Sequence, residues 1–141
     1  FSKAWGCAAI RLGMAFASEE IIGILNKIKY PYNINKLTQD YALKILKNPD
    51  VIKNWAKETV SLRSDVVYEL KGFKFVEKIY PTDANFVLVK VTDANDLYTY
   101  LTMKGIIVRN RNRVQLCGNC LRITIGTKEE NEELFKALKK Y

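Results

Sequence analysis

Histidine is absent from this sequence of 141 residues, which has only three cysteines. Two of them form a CxxC motif, Cys117-Gly118-Asn119-Cys120, a spacing found in redox pairs and in halves of zinc sites. With one further cysteine and no histidine, the chain cannot complete a tetrahedral site of the usual Cys/His composition, so we expect no metal site. A redox CxxC should open a helix that lowers the thiol pKa, whereas a β-type run follows Cys120, which argues against a redox role.

Long apolar runs are also lacking. None approaches the roughly 20 residues that a membrane-spanning helix requires, so we expect no integral membrane protein. Lys3, Arg11 and the pair Glu19–Glu20 interrupt every early apolar stretch, which argues against a signal peptide. The odd number of irregularly spaced cysteines does not resemble a disulfide framework, so we expect a cytoplasmic location. The first residue is Phe1 rather than methionine, and we expect the natural polypeptide to begin further upstream.

Hydrophobic residues make up 48% of the chain and aromatic residues 11%, which predicts a folded globular protein. A chain of this length buries roughly 68–70% of its unfolded surface, enough for one ordinary domain. The net charge of +8 is compatible with nucleic acid, an anionic membrane or a phosphorylated small molecule as partner, and selects none of them. Because much of the excess is lysine on predicted helical faces, we expect most of it to be solvated.

The hydrophobic pattern changes from helical to strand-like along the chain. The run RLGMAFA at residues 11–17 suits a buried strand, and Ser18 precedes a helix that should end before Pro31. Two further helices are predicted before Gly72, separated at Asn48-Pro49. Beyond Gly72 the pattern predicts strands at residues 73–76, 85–91, 106–109 and 121–125, a helix from residue 93 or 95 closed by Gly105, and a last helix with a capping box at residues 127–130. The fold class is α+β, with helices packed on a small sheet.

Ser2, Lys3 and Arg11 have the chemistry to hold a phosphorylated aldehyde. Lysine forms Schiff bases with carbonyl compounds as the neutral amine, and pyridoxal phosphate is the commonest cofactor held this way. The Ser2 hydroxyl and the planar Arg11 guanidinium suit the cofactor phosphate. Small residues that would let the backbone turn closely lie between the two cations: Gly6, Ala8 and Ala9. On spacing alone, however, a surface lysine and a solvated arginine explain the pattern better.

A second pair of candidates lies on the predicted strands near the end of the chain. Arg109 closes the strand at residues 106–109, and Arg122 lies inside the apolar run LRITIG. An arginine within an apolar strand is costly to bury unpaired, so Arg122 should meet an anion or a carboxylate. A structural salt bridge and a substrate-binding role fit the pattern equally well. Arg111 and Arg113, in the loop between the strands, are expected to be solvated.

Six segments follow one another along nearly the whole chain: SKA…IRLG, ASEEII, PYNIN, ANFVLV, GIIVRNR and CLRITIGT. In this order they resemble the histidinol-phosphate aminotransferase family, within the fold-type I, class II aminotransferases that depend on pyridoxal phosphate. In those enzymes the cofactor lysine is followed eight residues later by a phosphate-binding arginine, as Lys3 is by Arg11. The resemblance implies ping-pong transamination in histidine biosynthesis, from histidinol phosphate and 2-oxoglutarate to imidazole acetol phosphate and glutamate.

The resemblance also implies roles for individual residues. Lys3 would hold the cofactor aldehyde covalently and carry a proton between the substrate α-carbon and the cofactor C4′. Ser2 and Arg11 would hold the cofactor phosphate. Arg109 and Arg122 would bind the phosphate end of histidinol phosphate, or a dicarboxylate when glutamate is the amino donor. The family further implies a homodimer with anionic small-molecule substrates, and neither nucleic acid nor membrane as a partner.

By the same resemblance, residues 1–30 are the C-terminal remnant of the large cofactor-binding α/β domain, contributing its last strands and helix. Residues 31–141 are the small C-terminal domain, a small antiparallel sheet packed by helices. The family's N-terminal half, with the aspartate that pairs with the pyridine nitrogen, would lie upstream of Phe1. We therefore expect these 141 residues alone neither to retain the cofactor nor to transaminate. Ala9 replaces a glycine usual in the family, and Trp5 replaces a smaller aromatic residue.

Two alternatives stay open at this point. A related pyridoxal-phosphate enzyme could act on an aromatic amino acid, or on a phosphorylated one as threonine-phosphate decarboxylase does. A basic module could instead bind nucleic acid through RNRNR at residues 109–113, with binding that weakens steeply with salt. Against the second alternative, Trp5, Tyr41 and Trp55 fall at core-like positions away from these arginines, so a stacking platform is not evident.

Overall fold

The structure of the chain is a computed structural model that describes residues 1–3 and 5–141. It divides into two compact units, Phe1–Ala56 and Lys57–Tyr141. The division predicted between residues 30 and 31 concerns the domains of a whole aminotransferase and stays a prediction. Among the described residues, no helix is both long enough and apolar enough to cross a membrane.

The first unit is built from helices. A loop leads into a short 3-10 helix, Ala8–Ile10, and is followed by α1 (Glu19–Ile28), α2 (Lys36–Leu46) and the start of α3 (Pro49–Leu70). Asn35 caps α2 because its side chain accepts a hydrogen bond of 2.8 Å from the Thr38 N–H. The Thr38 hydroxyl in turn donates to the Ile10 carbonyl at 3.3 Å, which joins α2 to the first loop.

The strand predicted at residues 11–17 is wrong for the chain as described. Residues 12–18 have no regular secondary structure, and the Phe16 side chain is 90% exposed. A strand is stabilised by hydrogen bonds to a neighbouring strand. Within residues 1–3 and 5–56 there is no strand with which this segment could pair. The helix predicted after Ser18 is present as α1, although Ser18 makes no side-chain capping bond.

The second unit is a four-stranded antiparallel sheet packed by helices, as predicted. The strands are β1 (Val76–Ile79), β2 (Phe86–Val91), β3 (Arg109–Asn110) and β4 (Cys120–Thr124), in the order β1-β2-β4-β3. Helix α4 (Ala94–Met103) connects β2 to β3, and α5 (Lys128–Leu138) follows β4. The first strand begins three residues later than predicted. Phe73 and Phe75, expected in that strand, stack on each other with ring centroids 5.2 Å apart.

The core of this unit lies on one face of the sheet. Val87, Val89 and Val91 alternate along β2 and are buried, as strand geometry requires for one face. They pack with further buried residues from β4 and the helices: Val66, Leu70, Leu97, Leu101, Leu121, Ile123, Leu134 and Leu138. The intervening residues of β2 and β4, including Phe86, Leu88 and Arg122, are half-buried and belong to the opposite face.

Side-chain caps fix the ends of the two helices that flank β3 and β4. The Asp93 carboxylate accepts from the N–H groups of Asn95 and Asp96 at 2.9 and 3.0 Å, which begins α4. Thr127 and Glu130 form the predicted capping box at the start of α5. Gly105, with φ of 77°, ends the turn after α4 in the left-handed conformation expected of a C-terminal glycine.

Candidate active site

Ser2 and Lys3 lie at the start of a tight turn in the first unit. The Gly6 N–H donates to the Lys3 carbonyl at 2.9 Å, and the Cys7 N–H donates to the Phe1 carbonyl at 3.1 Å. Gly6 has a φ of 60°, a conformation that glycine adopts without steric cost. Among the described residues, a Cβ on Gly6 would meet no atom within 4 Å. The glycine therefore serves the turn of the backbone.

Arg11 ends the short 3-10 helix in an unusual backbone conformation. Its φ is 52°, which is uncommon for a residue with a side chain. Its Nη1 donates to the Ala8 carbonyl at 3.0 Å, and its backbone N–H donates to the same oxygen at 3.4 Å. The side chain is otherwise exposed. The guanidinium thus uses one donor on its own loop and keeps the others for a partner.

The donors of this loop fit pyridoxal phosphate by their chemistry. The Lys3 amine suits an aldehyde, and the Ser2 hydroxyl and Arg11 guanidinium suit a phosphate. Lys3 and Arg11 are exposed, and in the described part of the chain neither has a carboxylate within 4.0 Å. A cleft of about 320 Å³ in the same unit is lined by residues of the turn, α2 and α3, but none of these three residues lines it.

Arg109 and Arg122 are brought together in the second unit. They are cross-strand partners in the β3–β4 register. Directly opposed residues of an antiparallel pair project to the same face, with Cβ atoms about 4.5–5.5 Å apart. Like charges in this arrangement repel each other, and the strands hold them together nevertheless. The pair is therefore suited to an anion that contacts both guanidinium groups.

Among residues 1–3 and 5–141, no carboxylate forms an ion pair with either arginine. The ion pairs found among residues 1–3 and 5–141 are Lys36–Asp40, Lys53–Asp50, Lys90–Glu77 and Lys136–Glu133. The structural salt bridge that the sequence left open for Arg122 is thus not present in the described part of the chain. Instead, Arg122 Nε is buried and has no hydrogen-bond partner in the part of the chain that the structure describes, a situation that costs roughly 1–3 kcal/mol. Of the loop arginines expected to be solvated, Arg113 is exposed and Arg111 is half-buried.

An aromatic ring lies beside Arg122. The Cζ atom of Arg122 is 5.0 Å from the centroid of the Phe86 ring, within the range of a cation–π contact. Leu88, two residues further along β2, is the direct partner of Arg122 in the β2–β4 register. Phe86 was not among the predicted site residues. The alternation of β2 places Phe86 opposite the core, but only the strand register brings it next to Arg122.

Asparagine side chains hold the loop that joins the two arginine strands. Asn110 Nδ2 donates to Asn95 Oδ1 at 2.9 Å, which ties the end of β3 to α4. Asn112 Oδ1 accepts from the Asn119 N–H at 2.7 Å, and Asn119 Nδ2 donates to the Thr92 carbonyl at 3.2 Å. These bonds fix both ends of the loop, so that the spacing of Arg109 and Arg122 does not depend on the short ladder alone.

The CxxC motif forms a turn at the start of β4. The Cys120 N–H donates to the Cys117 carbonyl at 3.0 Å, and a strand follows, as expected. All three cysteines are free. Burial raises the pKa of the Cys120 thiol above its ordinary value, which disfavours the thiolate. A redox cysteine is activated by surroundings that lower its pKa, so the burial of Cys120 argues against a redox role.

A family model for the aminotransferases of class I and II matches residues 1–138. The chain belongs to this family. It is 56% identical over all 141 residues to the histidinol-phosphate aminotransferase of Bacteroides fragilis, and it covers 41% of that protein. The chain therefore spans about two fifths of the length of the relatives that it matches. The family assignment also argues against the alternative of a stand-alone nucleic-acid-binding module.

Solved structures share the fold. The histidinol-phosphate aminotransferase of Clostridium acetobutylicum is 25% identical, with a TM-score of 0.80 over 87% of this chain and 38% of its own. A decarboxylase from Sulfurospirillum multivorans is 30% identical, with a TM-score of 0.80 over 96% of this chain and 40% of its own. The predicted fold, the C-terminal part of a fold-type I enzyme, is thus confirmed in its small sheet and helices.

Proposed function

We propose that the chain is the C-terminal portion of an aminotransferase that exchanges an amino group between histidinol phosphate and 2-oxoglutarate. The substrate assignment rests on the opposed pair Arg109 and Arg122, which has no carboxylate partner among the described residues. Two guanidinium groups on one face match a doubly charged phosphate. The 56% identity to a protein named histidinol-phosphate aminotransferase supports the same substrate.

Pyridoxal phosphate is the cofactor that we assign to the first loop. When bound, it supplies an aldehyde that exchanges amino groups and a ring that withdraws electrons from the substrate. Lys3 is the residue that would hold the aldehyde carbon. The Lys3 amine is also the base that would take a proton from the substrate α-carbon and deliver it to the cofactor C4′. Ser2 and Arg11 would hold the phosphate through their hydroxyl and guanidinium donors.

The two strand arginines would serve both substrates of the exchange. A ping-pong transaminase binds its amino donor and acceptor in turn at one site. Arg109 and Arg122 would bind the phosphate of histidinol phosphate in one half of the cycle. In the other half they would bind the dicarboxylate, glutamate or 2-oxoglutarate. By holding the charged end of each substrate, they would orient its reacting carbon and thereby lower the entropic part of the barrier.

The whole enzyme is proposed to be a cytoplasmic homodimer, in which a neighbouring subunit completes each site. Large apolar side chains exposed on the first unit support its contact with further polypeptide: Met14, Phe16, Ile21, Ile24 and Ile28. The three free cysteines support a reducing compartment. We further propose that the 141 residues alone are inactive, because they match 41% of the relative's length and the resemblance assigns the cofactor's ring partners to the other part.

The test of this proposal compares substrates on the full-length protein. Histidinol phosphate with 2-oxoglutarate should give glutamate with a kcat/KM at least about 100-fold above that for phenylalanine, because only histidinol phosphate supplies a doubly charged phosphate to the arginine pair. An equal or higher rate with phenylalanine would contradict the proposal.

A decarboxylase is the second candidate, favoured by the 30% identity to a decarboxylase from Sulfurospirillum multivorans, and the arginine pair would direct it to a phosphorylated amino acid. Both candidates would use Arg109 and Arg122 for an anionic substrate, so anion binding does not separate them. Release of CO₂ from threonine phosphate, without formation of glutamate from 2-oxoglutarate, would establish the decarboxylase. Glutamate formation without CO₂ release would establish the aminotransferase.

A further inference from the structure

We infer that Phe86 is a positioning residue for the anion site, whose ring orients the Arg122 guanidinium for the substrate's charged end. The inference rests on the proposed role of Arg122 in substrate binding. It concerns a residue on a different strand, which reaches the site only through the β2–β4 register.

The Phe86 ring lies beside the Arg122 guanidinium on the same face of the sheet. Phe86 is the partner of Thr124, and Leu88 is the partner of Arg122, so Phe86 is a diagonal neighbour of Arg122 on the same face. The ring centroid is 5.0 Å from Arg122 Cζ. Arg122 Nε is buried without a partner among the described residues. The Nε end of the guanidinium is thus packed against protein, and the terminal nitrogens, Nη1 and Nη2, remain available to a ligand.

A phenyl ring and a carboxylate would affect the Arg122 guanidinium differently. A carboxylate would orient Arg122 by occupying its N–H donors and cancelling its charge, and it would compete with the substrate anion. The face of a phenyl ring attracts the cation without accepting these hydrogen bonds in the guanidinium plane. Phe86 can therefore restrict the side chain and leave its charge and its donors available.

The identity of the side chain is what makes this role testable. Leucine at position 86 would keep an apolar contact on the sheet, as Leu88 already provides, but it has no π face. Tyrosine keeps the ring. A cation–π contact at a partly desolvated site corresponds to about a 3- to 20-fold change in a binding constant. We expect this change in the affinity for an anion and in KM, with kcat affected less than twofold.

The experiment uses the full-length holoenzyme, in which bound cofactor already fills its own phosphate site. Titration calorimetry with inorganic phosphate measures the anion site directly, and steady-state kinetics with histidinol phosphate gives KM and kcat. Phe86→Leu should weaken phosphate binding about 3- to 20-fold, and Phe86→Tyr should restore it to within about twofold of the wild type. Phe75→Leu is the matched control, because Phe75 packs on Phe73 and Tyr141 instead of on an arginine; its phosphate affinity should equal that of the wild type.

A double-mutant cycle separates positioning from a structural effect. If Phe86 acts through Arg122, Phe86→Leu should have no further effect on phosphate binding in an Arg122→Gln protein. An unchanged affinity in Phe86→Leu, an equal loss in Phe75→Leu, or an undiminished effect in the Arg122→Gln background would each overturn the inference. A wild-type holoenzyme that binds no phosphate would overturn the anion site itself, and the proposed substrate with it.

Discussion

Arg109 and Arg122 lie directly opposite each other on β3 and β4, and in the described residues no carboxylate neutralises either of them. Folding alone does not favour this arrangement, because opposed like charges destabilise an antiparallel pair. The arrangement is favourable once an anion binds both groups. The pair thus links a small loss of stability to a gain in substrate binding.

This link predicts opposite effects of one substitution on stability and activity. Without phosphate, Arg109→Gln should raise the free energy of unfolding of the full-length protein by about 0.2–1 kcal/mol, since the repulsion is removed. The same variant should lower kcat/KM for histidinol phosphate about 10- to 100-fold, because a charged hydrogen-bond donor is lost. Urea unfolding and steady-state kinetics measure the two effects. Arg113→Gln, an exposed loop arginine, should change neither, and a loss of stability in Arg109→Gln would contradict the account.

Helix ends beside the sheet were predicted well from the sequence, whereas Ser18, before α1, makes no side-chain capping bond. Asp93, Gly105 and Thr127 act within a few residues of themselves, so their side chains and backbone preferences suffice to mark helix ends. The strands depend on neighbours that are distant in the chain. The alternation of apolar residues nevertheless predicted β2 and β4 nearly correctly. The apolar run at residues 11–17 was mistaken for a strand, because its sequence does not show whether a partner strand is present.

Some residues of the candidate site could likewise be predicted from local sequence, whereas the contacts between them could not. Lys3 and Arg11 could be proposed from a short motif, and Arg122 from its unusual place in an apolar strand. The opposition of Arg109 to Arg122 and the contact of Phe86 with Arg122 depend on two strand registers. No local pattern specifies these registers, because residues far apart in sequence decide them through packing of the shared core.

Core packing in the second unit predicts a large effect at Leu121. This side chain is fully buried at the centre of the sheet, next to the arginine position. Leu121→Ala should lower the free energy of unfolding by about 2–5 kcal/mol, because it removes buried methyl groups and leaves a cavity. Leu116→Ala is the matched control, since that leucine is 93% exposed. Denaturant unfolding of both variants tests the core, and equal stabilities would show that its position is misassigned.

The capping box predicts a smaller loss of stability on substitution of Thr127 than of Leu121, and a recovery when another capping residue takes its place. Its hydroxyl accepts from the Glu130 N–H at 3.3 Å, and Glu130 Oε2 accepts from the Thr127 N–H at 2.8 Å. Thr127→Ala should cost about 0.5–2 kcal/mol of unfolding free energy, and Thr127→Asp should recover most of it, because aspartate also caps helices. Thermal unfolding of the two variants checks this. A Thr127→Asp protein as unstable as Thr127→Ala would argue against the cap.

The pair Tyr141 and Asp96 predicts a pH dependence in the alkaline range. The Tyr141 hydroxyl donates to Asp96 Oδ2 at 2.7 Å, and this hydrogen bond raises the pKa of Tyr141 from 10.0 to about 12. A pKa raised by folding stabilises the protein fully below the unfolded value, and the contribution is lost as the pH rises through the folded value. The stability difference between wild type and Tyr141→Phe should therefore be constant below pH 10 and shrink toward pH 12.

Urea unfolding at several pH values measures this difference. Tyr68→Phe provides the control, because Tyr68 is 77% exposed and its substitution should give no such trend. A difference between wild type and Tyr141→Phe that stays constant through pH 12 would show that the hydrogen bond does not hold in solution.

The central claim, that Lys3 carries the cofactor of an aminotransferase, is tested most directly by covalent trapping. The full-length protein is loaded with pyridoxal phosphate and reduced with borohydride, and the modified peptide is mapped by mass spectrometry. One stable adduct is expected, on Lys3, and it should be lost in Lys3→Ala. A folded wild-type protein with no adduct on Lys3, or with the adduct on another lysine, would contradict it.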